Sequence, residues 1–111
     1  MLVHGAAGGV GSLALQLAKA GGGYVIGTAS EHNHDFLRQL GADEVIDYRE
    51  EWGDVFLNKI DVVFNASPVR DAQARERSVA VLKAGGIFVC TQLDYPFSPE
   101  IRGALEQKGA Q

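Results

Sequence analysis

Nine residues near the start of the chain, Val3-His4-Gly5-Ala6-Ala7-Gly8-Gly9-Val10-Gly11, have the types and spacing to hold a phosphate. A short apolar run turns through glycines straight into a helical pattern. The N-terminus of such a helix carries unpaired N–H groups and the positive end of the backbone dipole, and an anion resting there satisfies both. Gly8 lacks a Cβ, so a pyrophosphate can approach the backbone, and Gly11 lets the helix pack closely on the strand. Two registers fit: Ala6-x-Gly8-x-x-Gly11, a G-x-G-x-x-G pattern with alanine first, and Gly5-x-x-x-Gly9-x-Gly11. The expected pyrophosphate contacts are Ala6, Ala7, Gly8, Gly9, Val10 and Gly11.

A dinucleotide fold places its second selective position at the end of the next strand, about 20 residues on, where an acid accepts from the adenosine ribose. That position falls at Ser30, followed by Glu31. An acid there repels a 2′-phosphate: two like charges about 4 Å apart interact by roughly 4 kcal/mol at an effective dielectric near 20. Serine is uncharged and can donate to a phosphate oxygen, so Ser30 favours NADPH. Glu31 pulls toward NADH if its carboxylate faces the ribose, and Ser30 also suits the start of a helix. His32, His34 and Arg38 stand close enough in sequence to reach a phosphate, and His34 is the one taken as a cofactor contact. Asn65-Ala66-Ser67 and Thr91 end two later strands, at the edge where a nicotinamide ring would lie.

Other reactive types carry less. His4, inside the first strand, reads as a core or cofactor-flanking histidine. Cys90, the single cysteine, reads as a small buried hydrophobe. No C-x-x-C or H-E-x-x-H pattern supports a metal.

These positions need elements to hold them. Leu2–Gly5 reads as a strand and 9–19 as a helix, with Val10, Leu13, Ala14, Leu17 and Ala18 at helical spacing. Gly21-Gly22-Gly23 ends that helix. Strands are predicted over 24–29, 44–47, 60–66 and 87–92, and helices over 32–40 and 71–82. Phe36, Leu37 and Leu40 share a face of the second helix. Ala84-Gly85-Gly86 ends the third helix. A helical turn or two falls within 50–59, with Trp52, Val55 and Phe56 inward. Ser98 is positioned to cap a last helix with Pro99 at its first position, running to about Lys108. Strand and helix alternate, so the fold class is α/β: a doubly wound, mostly parallel sheet in the order 3-2-1-4-5, with ligand at the carboxyl ends of strands 1 and 4.

Bulk properties exclude several alternatives. The chain has 111 residues, enough for one domain, and 46% of them are hydrophobic. A formal net charge of -4 gives no footprint for nucleic acid or an anionic membrane. No apolar run is long enough to span a bilayer, and the N-terminus lacks the basic region of a signal peptide. One cysteine suits a reducing compartment, and the expected location is cytoplasmic.

The chain resembles the medium-chain dehydrogenase/reductase superfamily, closest to its zinc-independent, zeta-crystallin-like quinone oxidoreductase branch. Three blocks carry the resemblance: the glycine loop, Leu40-Gly41-Ala42-Asp43-Glu44-Val45-Ile46-Asp47-Tyr48, and Leu82-Lys83-Ala84-Gly85-Gly86. It implies a Rossmann domain, NADPH as cofactor, and hydride transfer to quinones or α,β-unsaturated carbonyls. It also implies that Ser30 and Tyr48 approach the 2′-phosphate. Glu31-His32-Asn33-His34 stands where the family commonly has a lysine, and Ala66-Ser67-Pro68 where it often has Val-Gly-Gly.

The resemblance further implies that residues 1–111 are a cofactor domain cut from a longer parent, without its catalytic domain and sixth strand. Such a piece is expected to bind cofactor weakly, to hold no catalytic residue, and to meet its small-molecule substrate only through the missing domain. An apolar fifth strand left at the edge is expected to self-associate. A short-chain dehydrogenase, whose pattern the second glycine register matches, needs Tyr-x-x-x-Lys. Tyr24, Tyr48 and Tyr95 are followed four residues later by Thr28, Trp52 and Pro99, so the first register is preferred. A dinucleotide-sensing or structural module is the non-enzymatic alternative.

Overall fold

The computed structural model describes residues 1–47, 56–67, 72–91 and 97–110. Within them the chain runs β1 (Leu2–His4), α1 (Gly9–Ala20), β2 (Ile26–Ala29), a 3-10 turn (Glu31–Asn33), α2 (His34–Gln39), β3 (Glu44–Asp47), β4 (Ile60–Asn65), α3 (Ala72–Val81), β5 (Leu82–Cys90) and α4 (Pro99–Gln107). The five strands form one sheet in the order β3-β2-β1-β4-β5, every ladder parallel. The expected doubly wound sheet is therefore present, and the break in strand order lies between β1 and its neighbours β2 and β4.

The two faces of the sheet follow from the period-2 alternation of strand side chains. Leu2 and Val3 are adjacent on β1 and both fully buried, in separate cores. Leu2 joins Val63, Phe88, Val79, Ile101 and Leu105 on the α3–α4 side. Val3 joins Ala6, Leu15, Val25 and Leu37 on the α1–α2 side. Central strands buried on both faces explain why β1 is apolar throughout.

The Leu40–Asp47 block is a joint between α2 and β3. Gly41 turns the chain at φ 109°, a conformation side chains rarely adopt, and a Cβ there would meet Lys19 Cγ at 3.1 Å. Asp43 then accepts from Lys19 Nζ at 2.7 and 3.0 Å and from the Val25 N–H at 2.8 Å. The Lys19 hydrogen bond, followed by that of Val25, holds the Asp43 carboxyl below the usual range. At the other end, Ser98 caps α4 as expected, its hydroxyl accepting from the Ile101 N–H at 3.3 Å. Lys108 Nζ closes the end of α3, within 3.0 Å of the carbonyls of Val79, Ala80 and Leu82 and of Asn58 Oδ1.

Four expectations are corrected. Val10, Leu13 and Leu17 point outward, 58%, 58% and 65% exposed, while Gly11 and Leu15 are the buried residues of α1. The second helix is a 3-10 turn plus the six residues of α2, and Phe36 is exposed rather than packed beside Leu37. Strand β2 begins at Ile26, not Tyr24. Finally, Ala84-Gly85-Gly86 does not end a helix. It lies within β5, where the ladder to β4 shifts register between Ile60↔Leu82 and Val62↔Ile87 and Gly85 takes φ 77°. Extra residues against one partner make a bulge, and glycine suits it. The expectation for Trp52 and Val55 lies outside the described residues; Phe56 is half-buried.

Candidate functional site

The carboxyl ends of β1, β2, β4 and β5 are tied together by backbone hydrogen bonds. Ala6 N–H donates to Thr28 O at 3.2 Å, Ala66 N–H to His4 O at 3.0 Å, and Thr91 N–H to Asn65 O at 3.0 Å. The glycine loop is built on this frame. Gly5 leaves β1 at φ 67°, and a Cβ on it would lie 2.7 Å from Ser67 N, so the loop runs directly against the exit of β4. Gly8 N–H donates to Gly5 O at 3.1 Å and Ser12 N–H to Gly8 O at 2.8 Å, closing the turn into α1. A Cβ on Gly11 would collide with Gly5 O and come within 2.8 Å of Gly5 C. Gly11 thus sets the close packing of α1 on the loop, as its place in the motif requires.

Gly8 and Gly9 differ from Gly5 and Gly11. Gly8 caps α1 in ordinary extended geometry, φ -76° and ψ 172°, and a Cβ on it would stand in normal contact, 3.4 Å from Gly5 O. A Cβ on Gly9 would meet nothing within 4 Å. Neither glycine answers a demand of the protein's own packing. Both are exposed, in front of a helix start with no side-chain cap and no acid in its first turn. An uncapped, acid-free N-terminus with open space before it fits a pyrophosphate, whose oxygens would accept from the first N–H groups of α1.

The other expected contacts sort by strand. Ala6 is buried, Ala7 half-buried and Val10 exposed along the loop. Ser30 ends β2 half-buried, and its hydroxyl makes no cap hydrogen bond to the following turn, so it remains available. His34 opens α2, its Nε2 3.1 Å from Ala29 O. Asn65 is buried at the end of β4, its side-chain oxygen accepting from the Ser67 N–H at 3.0 Å. Ala66 and Ser67 are half-buried beside the loop, and the Thr91 hydroxyl donates to Asn65 O at 3.3 Å. These residues line one edge of the sheet. Tyr48 lies outside the described residues.

Behind the loop, His4 bolts three elements together. Its Nδ1 is 2.9 Å from Thr28 Oγ1 on β2 and its Nε2 3.1 Å from Ser78 Oγ on α3. Ser78 Oγ already donates to Ala74 O at 2.7 Å, so His4 Nε2 carries the ring proton and Nδ1 accepts from Thr28. Burial pushes the His4 imidazole down to about 4, leaving it neutral at pH 7. It supports the loop from behind. Gly5 is the position that the preferred register left out of the site. The alternative Gly5-x-x-x-Gly9-x-Gly11 register held the signal for it.

A family model described as zinc-binding dehydrogenase matches residues 9–105. The chain belongs to the zinc-binding dehydrogenase family. This dehydrogenase-family chain is 44% identical over 91 residues to an Arabidopsis thaliana protein named NADPH-dependent alkenal/one oxidoreductase, chloroplastic, across 80% of its own length and 22% of that protein's. Among solved structures it is similar to the quinone oxidoreductase from Coxiella burnetii, with TM-score 0.80 and 35% identity over 99% of this chain and 33% of that one. The quinone oxidoreductase of Pseudomonas syringae pv. Tomato DC3000 gives TM-score 0.78 and 35% identity over 96% and 34%. These likenesses set it with the quinone oxidoreductase-like medium-chain dehydrogenases/reductases, as a chain spanning about a fifth to a third of their length.

Among the described residues no three His, Cys, Asp or Glu side chains are grouped to hold a metal ion. The zinc in the family's description therefore has no ligand set among the described residues. No described helix is long and apolar enough to cross a membrane.

Proposed function

We propose that the chain is the cofactor-binding domain of an NADPH-dependent oxidoreductase acting on quinones or α,β-unsaturated carbonyls. The observation that carries the reading is the contrast within the loop. Gly5 and Gly11 are required by backbone collisions, whereas Gly8 and Gly9 face open space before an uncapped helix start. A ligand that brings phosphate oxygens close to the backbone accounts for the second pair.

Bound NADPH supplies a hydride to an electrophilic carbon. The chain's own part is binding and orientation. The first N–H groups of α1 hold the pyrophosphate, Ser30 takes the ribose end, and Asn65, Ala66, Ser67 and Thr91 border the nicotinamide end. The names of the Arabidopsis, Coxiella and Pseudomonas relatives support the cofactor and the substrate class. The substrate's own contacts, and any catalytic group, belong in this reading to polypeptide that the longer relatives carry. A cytoplasmic location is part of the proposal and rests on the single cysteine.

Titrating the chain with NADPH and NADH by fluorescence or calorimetry tests this. Saturable binding with NADPH favoured is expected. Equal affinity or a preference for NADH overturns the role given to Ser30.

A further inference from the structure

We propose that the outer flank of α1 and the bare face of β4–β5 form a self-complementary docking surface for a second copy of this chain, closing a two-fold dimer with one shared helical layer.

The floor of this surface comes from an uneven covering of the sheet. Parallel sheets are normally covered by helices on both faces. On one face α3 and α4 pack over Ile60 and Val63 of β4 and Phe88 of β5. On the other face α1 and α2 bury Val3, Leu15 and Leu37, and Phe64 of β4 lies at the margin of that core. Strand side chains alternate between faces, so Val62, Ile87 and Val89 share the side of Phe64. The ladder sets Val62 opposite Ile87 and Phe64 opposite Val89. Val62 and Phe64 are half-buried, and Ile87 and Val89 are exposed. Among the described residues no helix covers this part of the sheet.

The wall comes from α1. Gly11 and Leu15 face the sheet. Lys19 reaches across to Asp43, so its flank of the helix faces α2 and β3. At 3.6 residues per turn, Val10, Ala14 and Leu17 fall on the opposite flank, over the β4 side, with Leu13 on the outer side next to them. Val10, Leu13 and Leu17 are all exposed. Wall and floor therefore meet in one L-shaped apolar surface.

The shape of that surface selects the occupant. A floor two strands wide, with strands about 4.8 Å apart, takes one α-helix about 10 Å across. Each copy lacks a helix over its floor and carries a helix whose outer stripe lacks a floor. Turned through 180° about an axis between two α1 helices, each copy gives the other what it lacks, as an isologous interface requires. The apolar area open on wall and floor is on the order of 500 Å², the apolar share of the roughly 800 Å² that each partner buries in a stable dimer. None of the wall or floor side chains is charged, so the chain's net charge of -4 sets up no close repulsion across the contact. The surface is separate from the unpaired edge of β5, which pairs through backbone groups.

Sedimentation over a wide range of concentration tests this with wild type, Leu13→Glu, Leu17→Glu, the double variant and Phe36→Glu. Leu13 and Leu17 are exposed, so each variant is expected to keep the wild-type circular dichroism. Phe36 is an equally exposed apolar residue on α2, outside the surface. The wild-type mass is expected to rise to two copies and stop. Each single α1 variant is expected to weaken the dimer at least about tenfold, as loss of a central apolar contact does. The double variant is expected to remain a single chain, and Phe36→Glu to follow wild type. A wild type that stays a single chain overturns the proposal and leaves the surface to further polypeptide such as the longer relatives carry. Association unchanged in the double variant overturns it in favour of the β5 edge. Growth beyond two copies, or a Phe36→Glu protein as weakened as the α1 variants, also overturns it.

Discussion

Acid should loosen this fold through one residue, His4. Its neutral ring is pinned between a donor, Thr28, and an acceptor, Ser78, at 2.9 and 3.1 Å. Protonation makes both ring nitrogens donors, so the Thr28 hydroxyl must turn around and a charge appears in a buried place. The imidazole titrates near 4 in the fold and at 6.5 in the open chain. Between those values the unfolded chain binds more protons, so stability falls as pH falls. The linkage amounts to about 2 kcal/mol lost between about pH 7 and pH 5, and about 3 kcal/mol by pH 4. Asp43, with its carboxyl held below the ordinary range, adds its own loss only further into acid, where carboxylates protonate. Urea unfolding at fixed ionic strength reads the effect as a fall of about 1 M or more in midpoint at constant slope. His4→Gln keeps an N–H donor and an acceptor but cannot titrate. It should cost about 1–3 kcal/mol at pH 7 and remove most of the decline between pH 7 and pH 5. Parallel pH profiles for the two proteins would refute the assignment of a buried, neutral His4.

Three other predictions follow from single contacts. Gly11→Ala puts a Cβ into Gly5 and should destabilise the chain by about 2 kcal/mol or more, whereas Gly9→Ala, with nothing within 4 Å, should leave the urea midpoint unchanged. Lys108→Met strips the donor from the Val79, Ala80 and Leu82 carbonyls and should lower the thermal midpoint by at least about 5 °C. Strand β5 pairs only with β4 among the described residues and shows Ile87 and Val89 at 43% and 41% exposure, so the chain should self-associate in sedimentation at high concentration. Val89→Lys should shift it toward the monomer; a wild type that sediments as one chain throughout contradicts the edge pairing.

The sheet order was legible because it follows from alternation and right-handed crossovers, which need only element type and sequence order. The loop was legible because its glycines have separate steric jobs. The rotation of α1 was misread for a physical reason. Its apolar residues cover two faces, and spacing alone does not say which one goes inward. Gly11 decides it, because a residue touching Gly5 must face the sheet, and Leu15 one turn later shares that face. Val10, Leu13 and Leu17 then fall outside. The Ala84–Gly86 bulge was hidden because glycines that end helices and glycines that permit bulges look alike in sequence. The His4 bolt needed Thr28 and Ser78, which no local pattern connects to it. The available hydroxyl of Ser30 and the anchored ring of His34 were legible as positions, but their hydrogen bonding was not.

The central claim is that the space in front of Gly8 belongs to a dinucleotide pyrophosphate. Gly8→Val tests it most directly, because the backbone there, φ -76° and ψ 172°, accepts any side chain and a Cβ makes only ordinary contact. The account predicts a urea midpoint lowered only by the modest cost of valine at an N-cap, about 1 kcal/mol, together with loss of the NADPH binding that the wild-type chain shows in calorimetry. NADPH binding of equal strength in both proteins would contradict it.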